Sequence, residues 1–206
     1  MQVVLASASP RRRELLKALT PTFSVVASEI PEPLNGDAPS DAVALARAKA
    51  LAVAAGVPGA MVIGADTIVY DGLRLYGKPS DADDATAMLA RLQGRAHKVV
   101  TGIAVVVGGA VSHGVSVADV TLSSLSYRAI AAYVASGRPL DKAGAYAIQD
   151  EDVPTVRDLD GCYCAVMGLP LWQLRDLMVL AGLPCSPPDT TYRRCAVCPE
   201  RRVEGA

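Results

Sequence analysis

Continuous apolar runs alternate along this chain with stretches whose apolar residues return every three or four positions. That is the pattern of buried strands interleaved with helices in an α/β protein. Val3 to Ala6 reads as a short buried strand, after which Ser9 caps a helix that opens on Pro10. The Pro/Gly-rich stretch from Pro31 to Pro39 reads as a loop, with Glu29 just before it and Glu32 within it. Ser40 is expected to cap a long alanine-rich helix ending near Gly56. Ala60 to Tyr70 reads as the next strand, Asp71-Gly72 as a turn and Leu73 to Tyr76 as the returning strand. Ser80 with Asp83 has the form of a capping box, opening a helix whose stripe of Ala85, Met88, Leu89 and Leu92 stops at Gly94. His97 to Val107 and Ala110 to Leu122 flank Gly108-Gly109 as a second, longer hairpin. Ser126 is expected to cap a helix through Ala135, and a further helix from Leu171 to Ala181 ends at Gly182. Leu183-Pro184 marks the close of that pattern, so residues 1–184 are expected to form one folded domain and residues 185–206 a peripheral tail.

Composition narrows the possibilities. The 206 residues are 51% hydrophobic and 20% charged, as in a folded water-soluble protein, with a formal net charge of −1. Near-neutral charge and only 4% aromatic residues argue against a general nucleic-acid binder, so no stable nucleic-acid partner is expected. No run approaches the roughly 20 apolar residues that span a bilayer, and the N-terminus lacks a charged-then-apolar signal pattern. A cytoplasmic protein is the expectation. The five cysteines all fall in the last quarter of the chain. Cys195-Ala-Val-Cys198 has metal-ligand spacing with Cys185 upstream, but His97 and His113 lie far away in sequence, and the reading favoured is a tail with incidental reduced thiols over a zinc or redox role.

The chemistry is concentrated at a few points. In Ser7-Ala8-Ser9-Pro10-Arg11-Arg12-Arg13 a helix begins with unpaired backbone N–H groups, the positive end of its dipole and three arginines. Acidic residues would suit that turn if it were merely solvated, so the basic cluster predicts a bound oxyanion such as phosphate. Asp66 interrupts the apolar strand Met61 to Val69, where an unpaired carboxylate is costly, so it must face a cleft, hold a metal or pair with a cation. Gly64 and Ala65 beside it leave space for a ligand to approach. Gly72 through Lys78 matches the spacing of a P-loop, but Pro79 stands where such a loop needs Ser or Thr; Lys78 remains a candidate flexible phosphate contact. Lys49 falls in a helical stripe with Leu45, Ala48 and Ala52, which brings its charge toward an interface. Gln149, preceded by small residues, carries the donor and acceptor that a pyrimidine imide edge requires.

Taken together, Ala6 to Leu16, Gly64-Ala65-Asp66-Thr67, Gly77-Lys78-Pro79, His97-Lys98-Val99-Val100-Thr101-Gly102 and Lys142 to Gln149 resemble, in order and spacing, the Maf family of nucleoside triphosphate pyrophosphatases. The likeness runs from residue 2 through Gly168-Leu169-Pro170 and the helix that follows. It implies a mixed, twisted α/β sheet related to inosine triphosphate pyrophosphatases, with two lobes around a central cleft, in a protein often found as a homodimer. The reaction implied is release of a nucleoside monophosphate and pyrophosphate, with Asp66 as the catalytic residue. Glu32 and Asp66 would hold a divalent metal, Mg2+ or Mn2+, whose preference for oxygen ligands suits them. The resemblance places Arg12, Lys49 and Lys78 on phosphates, with Ser7 in the same phosphate-binding motif. Arg11, Thr67 and Gln149 are similar to the specificity set of the branch acting on dTTP and UTP.

This chain departs from that family at three places. Asp150-Glu151-Asp152 follows Gln149 where a glycine is common, Cys162-Tyr163-Cys164-Ala165 replaces a stretch that usually carries an asparagine near Val166, and the cysteine-bearing tail is not a family element. These bear on base preference more than on reaction type. Two other readings stay open: a pyrophosphatase for modified purine nucleotides, and a nucleotide-sensing inhibitor of septum formation that binds without turnover.

Overall fold

The computed structural model describes residues 1–150, 153 and 155–201. Its framework is a seven-stranded mixed sheet in the order β2-β1-β3-β5-β6-β7, with β4 paired to β3. β1 (Val3–Leu5) lies parallel to both β2 (Ser24–Val25) and β3 (Met61–Tyr70). From β3 the sheet continues antiparallel through β5 (Ala96–Val107), β6 (Ala110–Leu122) and β7 (Val156–Asp160). Gly108 and Gly109, both at positive φ, turn β5 into β6 as the sequence predicts. β4 is confined to Leu75–Tyr76, because the Asp71 carboxylate accepts from the backbone of Leu73 and Arg74 at 2.9 and 2.8 Å and folds those residues into the turn. That strand pair replaces any P-loop.

Among the described residues six α-helices cover the sheet: α1 (Pro10–Leu16), α2 (Ala38–Ala54), α3 (Ala82–Leu92), α4 (Tyr127–Ala135), α5 (Tyr163–Met167) and α6 (Leu171–Leu180). Two caps differ from the sequence expectation. Asp37, not Ser40, begins α2, its carboxylate accepting the Ser40 N–H at 3.2 Å. Asp81, not Ser80, begins α3 by accepting from Asp84 at 2.8 Å, while the Ser80 N–H donates to the Asp84 carboxylate. In both places a nearby carboxylate, and not the serine hydroxyl, takes the orphan N–H.

The alanines of α2 have a structural purpose. A Cβ on Gly64 would stand 2.2 Å from the Ala46 carbonyl oxygen, and one on Gly102 would stand 2.3 Å from that of Ala42. The helix therefore rests directly on the backbones of β3 and β5. Gly64 thus makes room for α2 and not for a ligand, and Ala65 is wholly buried in the core on the opposite face. The buried face of α2 carries Leu45, Ala46, Lys49, Ala50 and Val53, whereas Ala48 and Ala52 are exposed. Lys49 is on the inward stripe, but that stripe runs beside the predicted one.

The core divides into clusters. The largest joins β1, β3 and α1 to α5 and α6, and a second gathers α3, α4 and the adjoining ends of β5 and β6. Residues 185–201 return from α6 to this core. Cys195 and Cys198 are buried in the largest cluster, and the Trp172 indole donates to the Cys195 carbonyl at 2.9 Å. Among the described residues no helix is long and apolar enough to cross a membrane.

Candidate active site

β1 ends at Leu5 while its parallel neighbour β3 continues, and a cleft opens where the two part. The cavity measures ≈ 330 Å³ and lies between the two main core clusters. Ser7, Arg11, Arg12, Glu32, Lys49, Asp66, Thr67, Lys78 and Gln149 all line it. The structure therefore brings every sequence-predicted site residue to one place.

The arginine corner forms for the reasons visible in the sequence. Ser9 is extended, its hydroxyl caps the Arg12 N–H, and Pro10 starts the helix with no acidic residue in the first turn. Arg12 is then fixed from several directions. Its Nε donates to the Gly168 carbonyl at 2.8 Å, and its terminal nitrogens donate to the hydroxyls of Ser7 at 3.2 Å and Thr67 at 3.1 Å. Gly168, at φ +110°, lies so close that a Cβ there would meet Arg12 Nε at 3.2 Å. Burial lowers the pKa of the Arg12 guanidinium, Asp66 opposes that shift, and Arg11 adds to it. An arginine so held stays charged and aims at the cleft.

Asp66 and Thr67 follow one another on β3 and so point to opposite faces of the sheet. On the α2 face, Lys49 Nζ lies 2.5 Å from Asp66 Oδ1 and 2.7 Å from Glu32 Oε1. Lys49 and Asp66 are 7% and 6% exposed, so this is a buried pair that would be costly if either partner were removed. Burial raises the Glu32 pKa, but the hydrogen bond and charge of Lys49, then Lys78 and Arg12, outweigh it and hold the carboxyl below its ordinary value. On the other face the Thr67 hydroxyl meets that of Thr101 at 3.0 Å, and Thr101 donates to the Ala165 carbonyl at 2.7 Å.

The far wall comes from residues 138–149. Arg11 crosses to this wall, pairing with the Asp141 carboxylate at 2.8 Å and donating to the Asp141 carbonyl at 3.1 Å. Lys142 binds the other Asp141 oxygen at 2.6 Å. A kink with positive φ at Gly144 and Ala145 then turns the chain so that Ala147, Ile148 and Gln149 line the cleft. Asp150 is directed elsewhere, accepting from the Tyr133 hydroxyl at 2.6 Å. Glu151 and Asp152 lie outside the described residues.

Sequence reasoning missed Thr101, Asp141, Lys142 and the Gly168 carbonyl as parts of this site. Thr101 and Lys142 stood within recognised motifs, but nothing in their spacing indicated which side chains they would hold.

Glu32 and Asp66 present carboxylate oxygens that converge on one ammonium group. Two hard oxygen donors so placed, in a cleft also lined by Arg12 and Lys78, fit a divalent cation arriving with phosphate oxygens. The arrangement can therefore take a polyanion, and it holds one buried carboxylate where a water could be oriented against it.

Comparison with known proteins agrees with that geometry. Residues 2–180 match the model of the family described as Maf-like protein. A Thermomicrobium roseum protein named dTTP/UTP pyrophosphatase is 46% identical, covering 97% of this chain and 94% of the relative. Proteins of the same name from Moorella thermoacetica and Myxococcus xanthus are 48% and 49% identical, each covering 88% of this chain and 96% and 93% of the relative.

Proposed function

The chain belongs to the Maf family, and we propose that it hydrolyses the α–β phosphoanhydride of dTTP, UTP and related pyrimidine nucleotides. Water adds to the α-phosphorus, the bond from that phosphorus to the bridging oxygen breaks, and monophosphate and pyrophosphate leave. The observation that carries this reading is the buried Asp66–Lys49 pair, joined by the exposed Glu32 carboxylate, facing the arginine corner across one cleft.

Each residue then has a definite task. Asp66 orients the attacking water and accepts its proton. Arg12, held by Ser7, Thr67 and Gly168 at the start of α1, binds phosphate oxygens. Lys49 and Lys78 neutralise the triphosphate and the departing pyrophosphate. Glu32 and Asp66 would hold Mg2+ or Mn2+, which supplies Lewis-acid stabilisation of phosphate charge when bound. Gln149 reads the imide edge of the base by donating and accepting at once. Arg11 and Thr67 contribute to selectivity through the wall and the arginine they position. The protein in this reading is a cytoplasmic homodimer whose catalytic unit is residues 1–184.

The test is product analysis with Mg2+ or Mn2+ on dTTP, UTP, CTP, ITP and 7-methyl-GTP. Pyrophosphate together with dTMP and UMP as the fastest-formed products supports the proposal. Faster turnover of ITP or 7-methyl-GTP would move the substrate to modified purines, and tight binding with no turnover would favour a nucleotide sensor.

A further inference from the structure

Behind the cleft the fold assembles four cysteines that no part of the proposed reaction uses. Cys162 caps α5 and Cys164 sits in its first turn, while Cys195 and Cys198 come from the turn at Arg193–Val197 and the residue after it. All four are buried. The sulfurs stand in two pairs, Cys162 with Cys198 within 4.8 Å and Cys164 with Cys195 at 3.6 Å. Glu200 joins the first pair, with a carboxylate oxygen within 4.8 Å of both its sulfurs.

We propose that Cys162, Cys164, Cys195 and Cys198 form a four-thiolate zinc site that fastens the C-terminal segment to the back of the active-site cleft. Spacing is the first argument. A Cys-x-Cys pair facing a Cys-x-x-Cys pair provides a complete tetrahedral set, and in such a site with Zn–S bonds of about 2.3 Å the sulfurs stand about 3.8 Å apart. The observed 3.6 Å suits that edge and is far from the roughly 2.0 Å of a disulfide.

The carboxylate is the second argument. Among the described residues, one oxygen of Glu200 is buried without a hydrogen-bond partner, and the side chain lies beside the sulfurs of Cys162 and Cys198. Among the described residues Arg194 lies over the Tyr163 ring, 4.7 Å from its centre, and Arg201 pairs with Asp189 at 2.9 Å. A soft divalent cation seated between Cys162 and Cys198 lies within reach of the Glu200 carboxylate as well, and thiolates select zinc over the hard cations that suit Glu32 and Asp66. Its placement gives the site a consequence, because α5 ends in the Ala165 and Gly168 carbonyls that hold Thr101 and Arg12. The proposal concerns residues outside the cleft, so it stands or falls separately from the reaction assigned there.

The test begins with the full-length protein, purified under reducing conditions and dialysed against a weak chelator, then assayed for metal by elemental analysis. One equivalent of zinc per chain is expected, released in step with mercurial titration of the buried thiols. Cobalt substituted for it should show thiolate charge-transfer and tetrahedral ligand-field absorption. Cys185→Ser should retain the metal, whereas Cys195→Ser with Cys198→Ser should lose it and lower the melting temperature. If that double variant does not fold, release and cobalt absorption on the unsubstituted chain still decide the matter. Absence of stoichiometric metal, cobalt bound without thiolate absorption, or a mass deficit showing disulfides among these cysteines would overturn the proposal.

Discussion

The cleft and the cysteine corner are built on the same physical problem and solve it differently. In the cleft, two carboxylates are brought together and the chain supplies the compensating charge itself, through Lys49 from α2. At the corner, the Cys162 and Cys198 sulfurs meet the Glu200 carboxylate, and the Cys164–Cys195 pair lies in the same core cluster, while Arg194 lies over a ring and Arg201 against another acid. A site that must bind and release a charged substrate needs its cations on side chains that can exchange partners. A site that only fastens two segments is served by a cation that stays. On this account the first region is catalytic and exchangeable, and the second is structural and permanent.

The sharpest way to separate the regions is Asp66→Asn. It removes the proton acceptor but keeps the shape, so kcat should fall by about 100- to 10,000-fold with little change in KM. Steady-state kinetics beside elemental analysis would check both halves, since the metal content at the cysteines should not change. A proportionate rise in KM would mean that Asp66 serves binding instead.

Next in size is a pH effect that belongs to neither region. His97 is buried against the Tyr146 hydroxyl at 2.7 Å, and burial pushes its pKa down to about 4 from an ordinary 6.5. Between those values the unfolded chain binds a proton that the folded chain refuses. Stability should therefore be intact above pH 6.5, fall as pH drops through that window and level off below about 4. The loss should amount to about 3 kcal/mol, and His97→Gln should flatten the slope in denaturant titrations.

A smaller effect tests how the cleft gets its lysine. Gly64→Ala places a methyl group against the Ala46 carbonyl and should lift α2 from the sheet. We expect a stability loss of about 1–3 kcal/mol by thermal unfolding, and reduced activity because Lys49 moves with the helix. Metal at the cysteines should again be unaffected, which would mark the two regions as independent.

These regions also differ in how far the sequence exposes them. The arginine corner is local: Ser9, Pro10 and the arginines announce a helix start and its anion preference within one short stretch. Asp66 is legible because a carboxylate in an apolar strand needs a reason. Lys49 is less so, since α2 is alanine on nearly every face and only the glycines of β3 and β5 decide which face turns inward. Thr101, Asp141 and Gly168 act through hydrogen bonds between distant segments, which no local pattern encodes. β7 went unread because Val156-Arg157-Asp158-Leu159-Asp160 is a largely polar edge strand. The cysteine corner is the extreme case. Cys195-x-x-Cys198 alone is weak, and its counterpart at Cys162 and Cys164 meets it only through the packing of α5 and Trp172 against the C-terminal segment.

The most direct test of the central claim is hydrolysis of dTTP in 18O-labelled water, followed by mass analysis of both products. Attack at the α-phosphorus puts the label in dTMP and leaves pyrophosphate unlabelled. Label in pyrophosphate would place the attack at the β-phosphorus, and labelled inorganic phosphate with dTDP would place it at the γ-phosphorus; either would contradict an α-phosphorus-directed cleft.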